Sequence, residues 1–328
     1  MKYRKLLLVS SKKDIRVWSI SVCLVTLSCI SLKQTARAEV ATFAHWSFDA
    51  ASLSFDLDGN ITGASDTTGN HNAVNTEMTG SGTGSPYTST TIPGSASAVG
   101  QFGEGLTLMG NNNLAGGGGN FLTFPNLTEL MVANGAPSYT VSYWLKTTTL
   151  NSHQFTVLSD WGNAASNPGR FTYGFGFQIS SGVAQMRGQS RFNTSGSGNG
   201  TDIFARAVTT ESLNDGEWHM LTWTFNTLTG TLNSYFDGSM VQTFNSAAAS
   251  FQMVDSSSPL GTFGLKGDSG NFINGVIALD EVWVIGQVLP QEGIDSLFQN
   301  NLPIPEPGTM AFGALGALIL TARARRRF

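Results

Sequence analysis

Four histidines, His45, His71, His153 and His219, and the acid pairs Asp280–Glu281 and Asp215/Glu217 are the side chains with the most catalytic reach in this chain. None of the histidines has the H-E-x-x-H spacing that sets two imidazoles on one helix face around zinc. A glycan-cleaving site on a sheet needs two carboxylates on one face, aimed into one cleft. Asp280 and Glu281 are adjacent, so on a regular strand they would face opposite ways. Asp215 and Glu217 flank an Asp-Gly turn and read as turn acids. His219 follows Trp218 in a strand-like run and reads as a packed, hydrogen-bonded histidine; His45 reads the same way. No serine sits in a G-x-S-x-G elbow. These residues point away from catalysis.

Binding chemistry has more to work with. Sugar rings stack on aromatic faces beside hydrogen-bonding side chains. Trp161 and Arg170 flank the loop WGNAASNPGR, and Tyr173, Arg187 and Arg191 follow closely, which makes 161–191 the expected ligand neighbourhood. Calcium takes several oxygen ligands from loops, and Asp66 and Asn70 share a polar loop. The run DLDGN (56–60) starts like an EF-type loop. Its glycine stands at position 4 rather than 6, and Thr67 occupies position 12, so it is set aside.

The elements that must position these groups are strands. Between 42 and 300, short apolar or alternating runs are separated by Gly, Asn, Asp and Ser. Expected strands cover 42–48, 106–109, 121–124, 139–146, 155–160, 171–179, 218–225, 231–236, 240–244, 261–265 and 276–285. In WHMLTWTF, His219, Leu221, Trp223 and Phe225 share one face. Asp237-Gly238 reads as a two-residue hairpin turn, and 290–300 as the one helix of the body. The fold class is all-β, an antiparallel β-sandwich.

The ends differ from this body. Lys2, Arg4, Lys5, Lys12, Lys13 and Arg16 precede an apolar stretch, 17–32, and the A-x-A site at 36–38. That is a secretory signal over 1–38, removed by signal peptidase; the alternative is a retained signal anchor. Cys23 and Cys29 both lie inside it, which leaves residues 39–328 without thiol chemistry. Eight of the 18 basic residues lie in 1–38 and four at 323–327, leaving six in 39–302 against 20 acids. A body with a balance of about −14 repels phosphate backbones, which excludes nucleic acid as the partner. Residues 310–322 are largely apolar but, as a helix, would span only ~20 Å, short of a bilayer core. Arg323, Arg325, Arg326 and Arg327 would hold that end on the cytoplasmic side, a transient membrane insertion.

Two resemblances follow from these residues. Pro305-Glu306-Pro307, the apolar stretch and the terminal arginines, within 303–328, resemble the PEP-CTERM sorting signal. The resemblance implies a Gram-negative source, an exosortase-type membrane protease as partner, and removal of this apolar sorting helix during export. A plain C-terminal anchor is the alternative. In the body, AHWSFD, SDTTGNHN, GQFGEGLTLMG, SYTVSYWLK, DGEWHMLTWTF, LNSYFDG and FINGVIALDEVWVIGQVLPQEGI occur in the order seen in laminin-G-like, concanavalin A-like jelly-roll domains. The match is poor over 147–214 and 245–260, which would be variable loops. This second resemblance implies one domain over 39–302 whose first strand lies near 276–285, and binding or adhesion rather than catalysis. It also brings the segments of Asp49 and Asp280 together, where related domains hold a structural calcium. Asp49, Asp66, Asn70 and Asp280 are the expected calcium ligands.

The sequence thus leads to an exported, non-catalytic protein of the cell envelope, cell surface or extracellular matrix that binds carbohydrate or another matrix polymer. A structural coat protein without a ligand and a glycan-cleaving enzyme are the alternatives.

Overall fold

The computed structural model describes residues 41–75, 77–79, 86–111, 118–127, 138–149, 157–160, 173–180, 183–192, 201–208, 212–245, 260–266, 271–272 and 275–303. The expected signal segment and the sorting segment with Pro305, Glu306, Pro307 and its arginines lie outside these residues. Among the described residues, no helix is long and apolar enough to cross a membrane.

Among the described residues, two nine-stranded antiparallel sheets carry the fold. In order across the first sheet run Ser239–Asn245, Thr231–Phe236, Trp218–Asn226, Tyr139–Thr147, Gly275–Ile285, Glu104–Asn111 and Ser97–Val99. Thr42–Trp46 pairs with the far end of Gly275–Ile285, as the family resemblance implied, and Gly118–Gly119 pairs with the end of Glu104–Asn111. The second sheet runs Thr201–Val208, Val183–Phe192, Tyr173–Ser180, Leu158–Asp160, Leu260–Phe263, Leu122–Pro125, Ala73–Val74, Ile61–Ala64 and Leu53–Phe55. Val183–Phe192 and Thr201–Val208 were not expected as strands; they fall where the family resemblance fades.

Alternation explains why the sheets stack. Leu221, Trp223 and Phe225 of one sheet and Phe175, Phe177 and Phe263 of the other are fully buried in one apolar cluster. Trp46 packs on Phe124 and Phe263 at ring-centroid distances of 4.9 Å each, and Phe175 on Trp223 at 5.2 Å. The result is a β-sandwich with the layering of a jelly roll.

The first sheet's outer face is apolar as well. Trp144, Met220, Tyr235 and Ile285 are covered there by the helix Gln291–Asn300 through Ile294 and Leu297. Phe298 stacks on Trp144 at 5.4 Å. Pro290 caps the helix start, where its missing N–H costs nothing. Asn301 ends the helix in the left-handed conformation (φ 53°), and its side chain accepts from Trp283 Nε1 at 2.9 Å.

Candidate functional site

The second sheet's outer face is built differently. Register places Val74, Thr123, Thr262, Ser159, Gly174 and Gln189 side by side across six strands. One step along, Gly176 lies beside Arg187, and one step further Gln178 lies beside Gln185. Their chain neighbours Phe175, Phe177 and Met186 point into the core, so these positions point out. No aromatic or aliphatic layer like that of the first sheet is built from them. Thr123, Thr262, Ser159, Gln189 and Arg187 are nonetheless buried, Arg187 to 4% exposure. Buried polar groups need hydrogen bonds, and several of these show them. Ser159 Oγ and Thr262 Oγ1 lie 3.3 Å apart. Arg187 Nη2 donates to Gln178 Oε1 and, at 3.5 Å, to Gln185 Oε1. The described side chains of this face are thus mainly hydroxyls, carboxamides and the Arg187 guanidinium, with two glycines among them and Val74 exposed at one end; register continues the face to Phe204 and Val208 on Thr201–Val208.

A second polar cluster sits where Gly275–Ile285 changes partners, from Glu104–Asn111 to Thr42–Trp46. Opposite Tyr139–Thr147, Trp144 pairs with Asp280 but Ser142 with Trp283, so the strand carries one extra residue there. Glu281 takes that bulge with φ 49°. The bulge switches parity: Ile277 and Leu279 face the core before it, Val282 and Val284 after it. This corrects the expectation that Asp280 and Glu281 face opposite ways. Glu281 Oε2 lies 2.5 Å from His45 Nε2, and the same imidazole stacks on Trp283 at 3.5 Å.

Asp280 Oδ2 accepts from the backbone N–H groups of Gln101 and Phe102 at 2.8 and 2.9 Å. Its Oδ1 is buried with no hydrogen-bond partner. Burial, with Glu281 and Asp49 nearby, pushes this carboxyl up to about 8 against the pull of those two N–H groups. Asp49 Oδ1 accepts from Glu104 N at 3.0 Å on the other side of the same loop. The glycines of GQFGEG make this fit possible: a Cβ on Gly100 would stand 2.5 Å from Asp280 Oδ2, and one on Gly103 2.2 Å from Asp49 Oδ1.

His219 is a third such group. Its Nδ1 meets Asp237 Oδ2 at 2.8 Å and its Nε2 meets Asp215 Oδ1 at 3.2 Å. The hydrogen bond to Asp237, opposed by burial, raises its pKa. The histidine is packed and hydrogen-bonded, as read from the sequence.

The expected sites divide as follows. Asp49 and Asp280 come to one loop. Asp66 stands elsewhere with its carboxylate saturated: Oδ1 accepts from His45 N and Thr68 N, and Oδ2 from Thr68 Oγ1, Asn70 N and His71 N. It organises its own loop, and Asn70 is exposed beside it. Among the described residues, no three His, Cys, Asp or Glu side chains converge as a metal site. Asp56 is a turn acid, accepting from Asp58 N and Asn60 N.

Of the expected ligand residues, Trp161 and Arg170 lie outside the described residues. Tyr173 is fully buried, in the core beside Phe175, with its hydroxyl donating to Asn126 Oδ1 at 2.9 Å. It is a core residue, not a groove aromatic. Arg187 takes the outward parity of its strand, and Arg191 pairs by register with Asp202. Gln178, Gln185, Gln189, Ser159 and Thr262 were missed. Their signal was the alternation Gln185, Arg187, Gln189, Arg191 within one run.

Comparison with known proteins bears on the same scaffold. No curated protein matches the chain. Among solved structures, domain 4 of AbnA, a GH43 extracellular arabinanase from Geobacillus stearothermophilus, in complex with arabinotriose, is 20% identical over 80% of this chain and 100% of that one, with TM-score 0.49. The binding domain of Paraclostridial Mosquitocidal Protein 1 is 16% identical over 79% of this chain, with TM-score 0.48; the match covers 52% of that chain, about half its length. A SAP-like pentraxin from Limulus polyphemus is 16% identical over 52% of this chain and 73% of that one, with TM-score 0.39. The family model described as "Concanavalin A-like lectin/glucanases superfamily" matches residues 116–295. That match spans more than half of the sequence, and the chain belongs to this Laminin_G_3 family.

Proposed function

We propose that this protein is an exported, non-catalytic carbohydrate-binding sandwich whose ligand face is the outer face of the second sheet. The observation that carries the reading is the polar floor there: Thr123, Thr262, Ser159, Gln189, Gln178, Gln185 and Arg187 at register-matched positions, with glycine at 174 and 176. Sugars offer dense, directional hydroxyls; the half-buried carboxamides of Gln178 and Gln185 are the members of this array that can reach them, and the buried members hold the array rigid. The other outer face is taken up by apolar packing under the helix. Asp280 and Glu281 do not form a cleavage pair in this reading. Both are buried, and Glu281 is engaged by His45 while Asp280 is closed off beneath the N–H groups of Gln101 and Phe102.

Calcium fits the Asp280 loop and not the Asp66 loop. A buried carboxylate oxygen without a partner, held beside a second carboxylate, lacks what a cation supplies. Asp49 and Asp280 would hold the ion together with oxygens of the loop. Calcium would neutralise the Asp280 charge and fix residues 100–104 against the sheet. Asp66 and Asn70 have no part in it, since Asp66 already accepts five hydrogen bonds.

Delivery rests on the two ends. In this reading signal peptidase removes 1–38, and an exosortase-type membrane protease reads Pro305-Glu306-Pro307 and the arginine cluster after transient membrane insertion. The body, 39–302, is then left at the envelope, the surface or the extracellular matrix of a Gram-negative cell, beside a polysaccharide or matrix polymer. Binding of the purified protein to the producing cell's exopolysaccharide, in calcium and in chelator, tests this. Saturable binding that weakens in a Gln185→Ala variant supports it. A folded protein with no affinity for the polymer in either condition sinks it in favour of a coat protein.

A further inference from the structure

The packing under the helix takes the first sheet's outer face as far as Trp144 and Met220, which are register partners. The next outward pair is Lys146 and Trp218, and their row runs on across Gly275–Ile285 and Glu104–Asn111 through Ala278 and Thr107. Trp218 is half-buried, with part of its indole against the cluster under the helix. A Cβ on Gly105 would stand 3.3 Å from Trp218 Cη2. Two strands lie between Trp218 and Gly105, so the indole lies along the sheet, one face on it and the other turned away. Two other indoles commit their N–H to the protein: Trp46 Nε1 donates to His71 O and Trp283 Nε1 to Asn301 Oδ1, each at 2.9 Å. Trp218 Nε1 makes no hydrogen bond and, unlike Trp223 Nε1, is not a buried atom. Lys146 is the one exposed cation among the described side chains, and it has no ion pair.

We infer that Trp218 and Lys146 form a second saccharide site on this face, and that the domain is bivalent and ties one polymer chain to another. The inference rests on the carbohydrate-binding reading and adds a site to it. A pyranose ring lays its C–H face on an indole and keeps its oxygens at the rim. At that rim the indole N–H and the Lys146 ammonium supply donors and no acceptor, which suits hydroxyl and ring oxygens. Ala278 and Thr107 are small and keep the row beside the indole low, and Met109 and Val276, 50% and 44% exposed one step along, continue it. An open row of this kind suits a polymer; a small ligand is held in a pocket that buries most of its surface. The outer faces of the two sheets look away from each other across the core, so one short stretch of polymer cannot occupy both. Two such sites on one rigid body cross-link a polymer and raise the apparent affinity for it.

The test uses the full chain with the producing cell's exopolysaccharide, intact and as oligosaccharides from its partial hydrolysis. Calorimetric titration with the oligosaccharides should show two sites per chain, and the protein should turn a solution of the intact polymer turbid by cross-linking it. Trp218→Ala should weaken one of the two sites by about tenfold and abolish the turbidity. Lys146→Gln should weaken that same site, and Gln185→Ala the other. A single site that weakens in Gln185→Ala and is unchanged in Trp218→Ala and Lys146→Gln overturns the inference and leaves the second-sheet reading standing. A single site that weakens in Trp218→Ala and is unchanged in Gln185→Ala overturns bivalence and the second-sheet reading together. No binding by the unmodified protein overturns the inference and the carbohydrate-binding reading alike. If Trp218→Ala does not fold, oxidation of the unmodified protein by N-bromosuccinimide decides. Peptide mapping must then find Trp218 oxidised in the free protein and protected by the oligosaccharides; equal oxidation with and without them overturns the inference.

Discussion

Asp237 holds His219 from a hairpin turn. Its Oδ2 meets the imidazole Nδ1 at 2.8 Å, while its Oδ1 accepts from the next backbone N–H, Met220, at 2.7 Å. The aspartate can do both because it sits in the left-handed region, φ 49°, followed by Gly238 at φ 78°, the pairing a tight hairpin demands. DGEWH and YFDG, far apart in sequence, are thereby one structural unit.

The first prediction concerns this pair. Asp237 and Asp215 raise the His219 pKa in the fold. A raised folded value means the protonated histidine stabilises the protein, fully so below the unfolded pKa, and that this stability is lost as pH rises through the folded one. Melting temperature should therefore fall across the near-neutral range. Asp237→Asn keeps the turn and the Met220 acceptor but removes the charge, and should flatten that slope. An unchanged slope in the variant refutes the coupling.

Asp280 gives the second. Its carboxyl, raised to about 8, is neutral over most of the accessible range. Stability from that neutral form is fully present below the ordinary carboxylate pKa and is lost as pH rises through about 8. In chelator, Asp280→Asn should remove this alkaline decline, since the amide has nothing to ionise. Calcium should raise the melting temperature of the unmodified protein at pH 8 and do little for the variant. Equal calcium responses would remove Asp280 from the site.

Export gives the third. Intact mass of the protein recovered outside the cell should correspond to a chain that starts at Glu39 and lacks the segment after Pro307. Recovery of a species that still carries residues 308–328 would refute tail removal.

What could be read beforehand follows physical lines. The core strand 218–225 was legible because its two faces differ in polarity, with Leu221, Trp223 and Phe225 on the buried side. The hairpin at Asp237-Gly238 was legible because only such residues accept positive φ. Val183–Phe192 escaped because its inward residues Met186 and Gly188 are flexible or small, while Gln185, Arg187 and Gln189 between them are polar, a run that looks like a loop. The Asp280–Glu281 arrangement escaped because a bulge leaves no mark in composition: one residue of extra strand moves every later side chain to the other face. Asp66 was read as a calcium ligand for a similar reason: a lone aspartate in a polar loop looks the same whether it faces a cation or, as here, five backbone and hydroxyl donors.

Gly188 carries the last prediction, and it tests the sandwich itself. It lies on the core side of its strand, and a Cβ there would stand 2.5 Å from Trp223 Cδ1 and 2.6 Å from Trp223 Nε1. Trp223 is fully buried between Tyr143 and Phe175, at 5.6 and 5.2 Å, so the indole has little room to retreat. Gly188→Ala adds one methyl group at the interface between the sheets. Elsewhere in a strand that change would help, because glycine is a poor strand residue. Here overpacking should dominate and destabilise by about 1–3 kcal/mol in urea unfolding. Gly188→Ala combined with Trp223→Phe shortens the facing ring and should cost less than the two changes summed. Strict additivity would mean that the strand does not lie against Trp223, and the polar face on its other side would lose its placement with it.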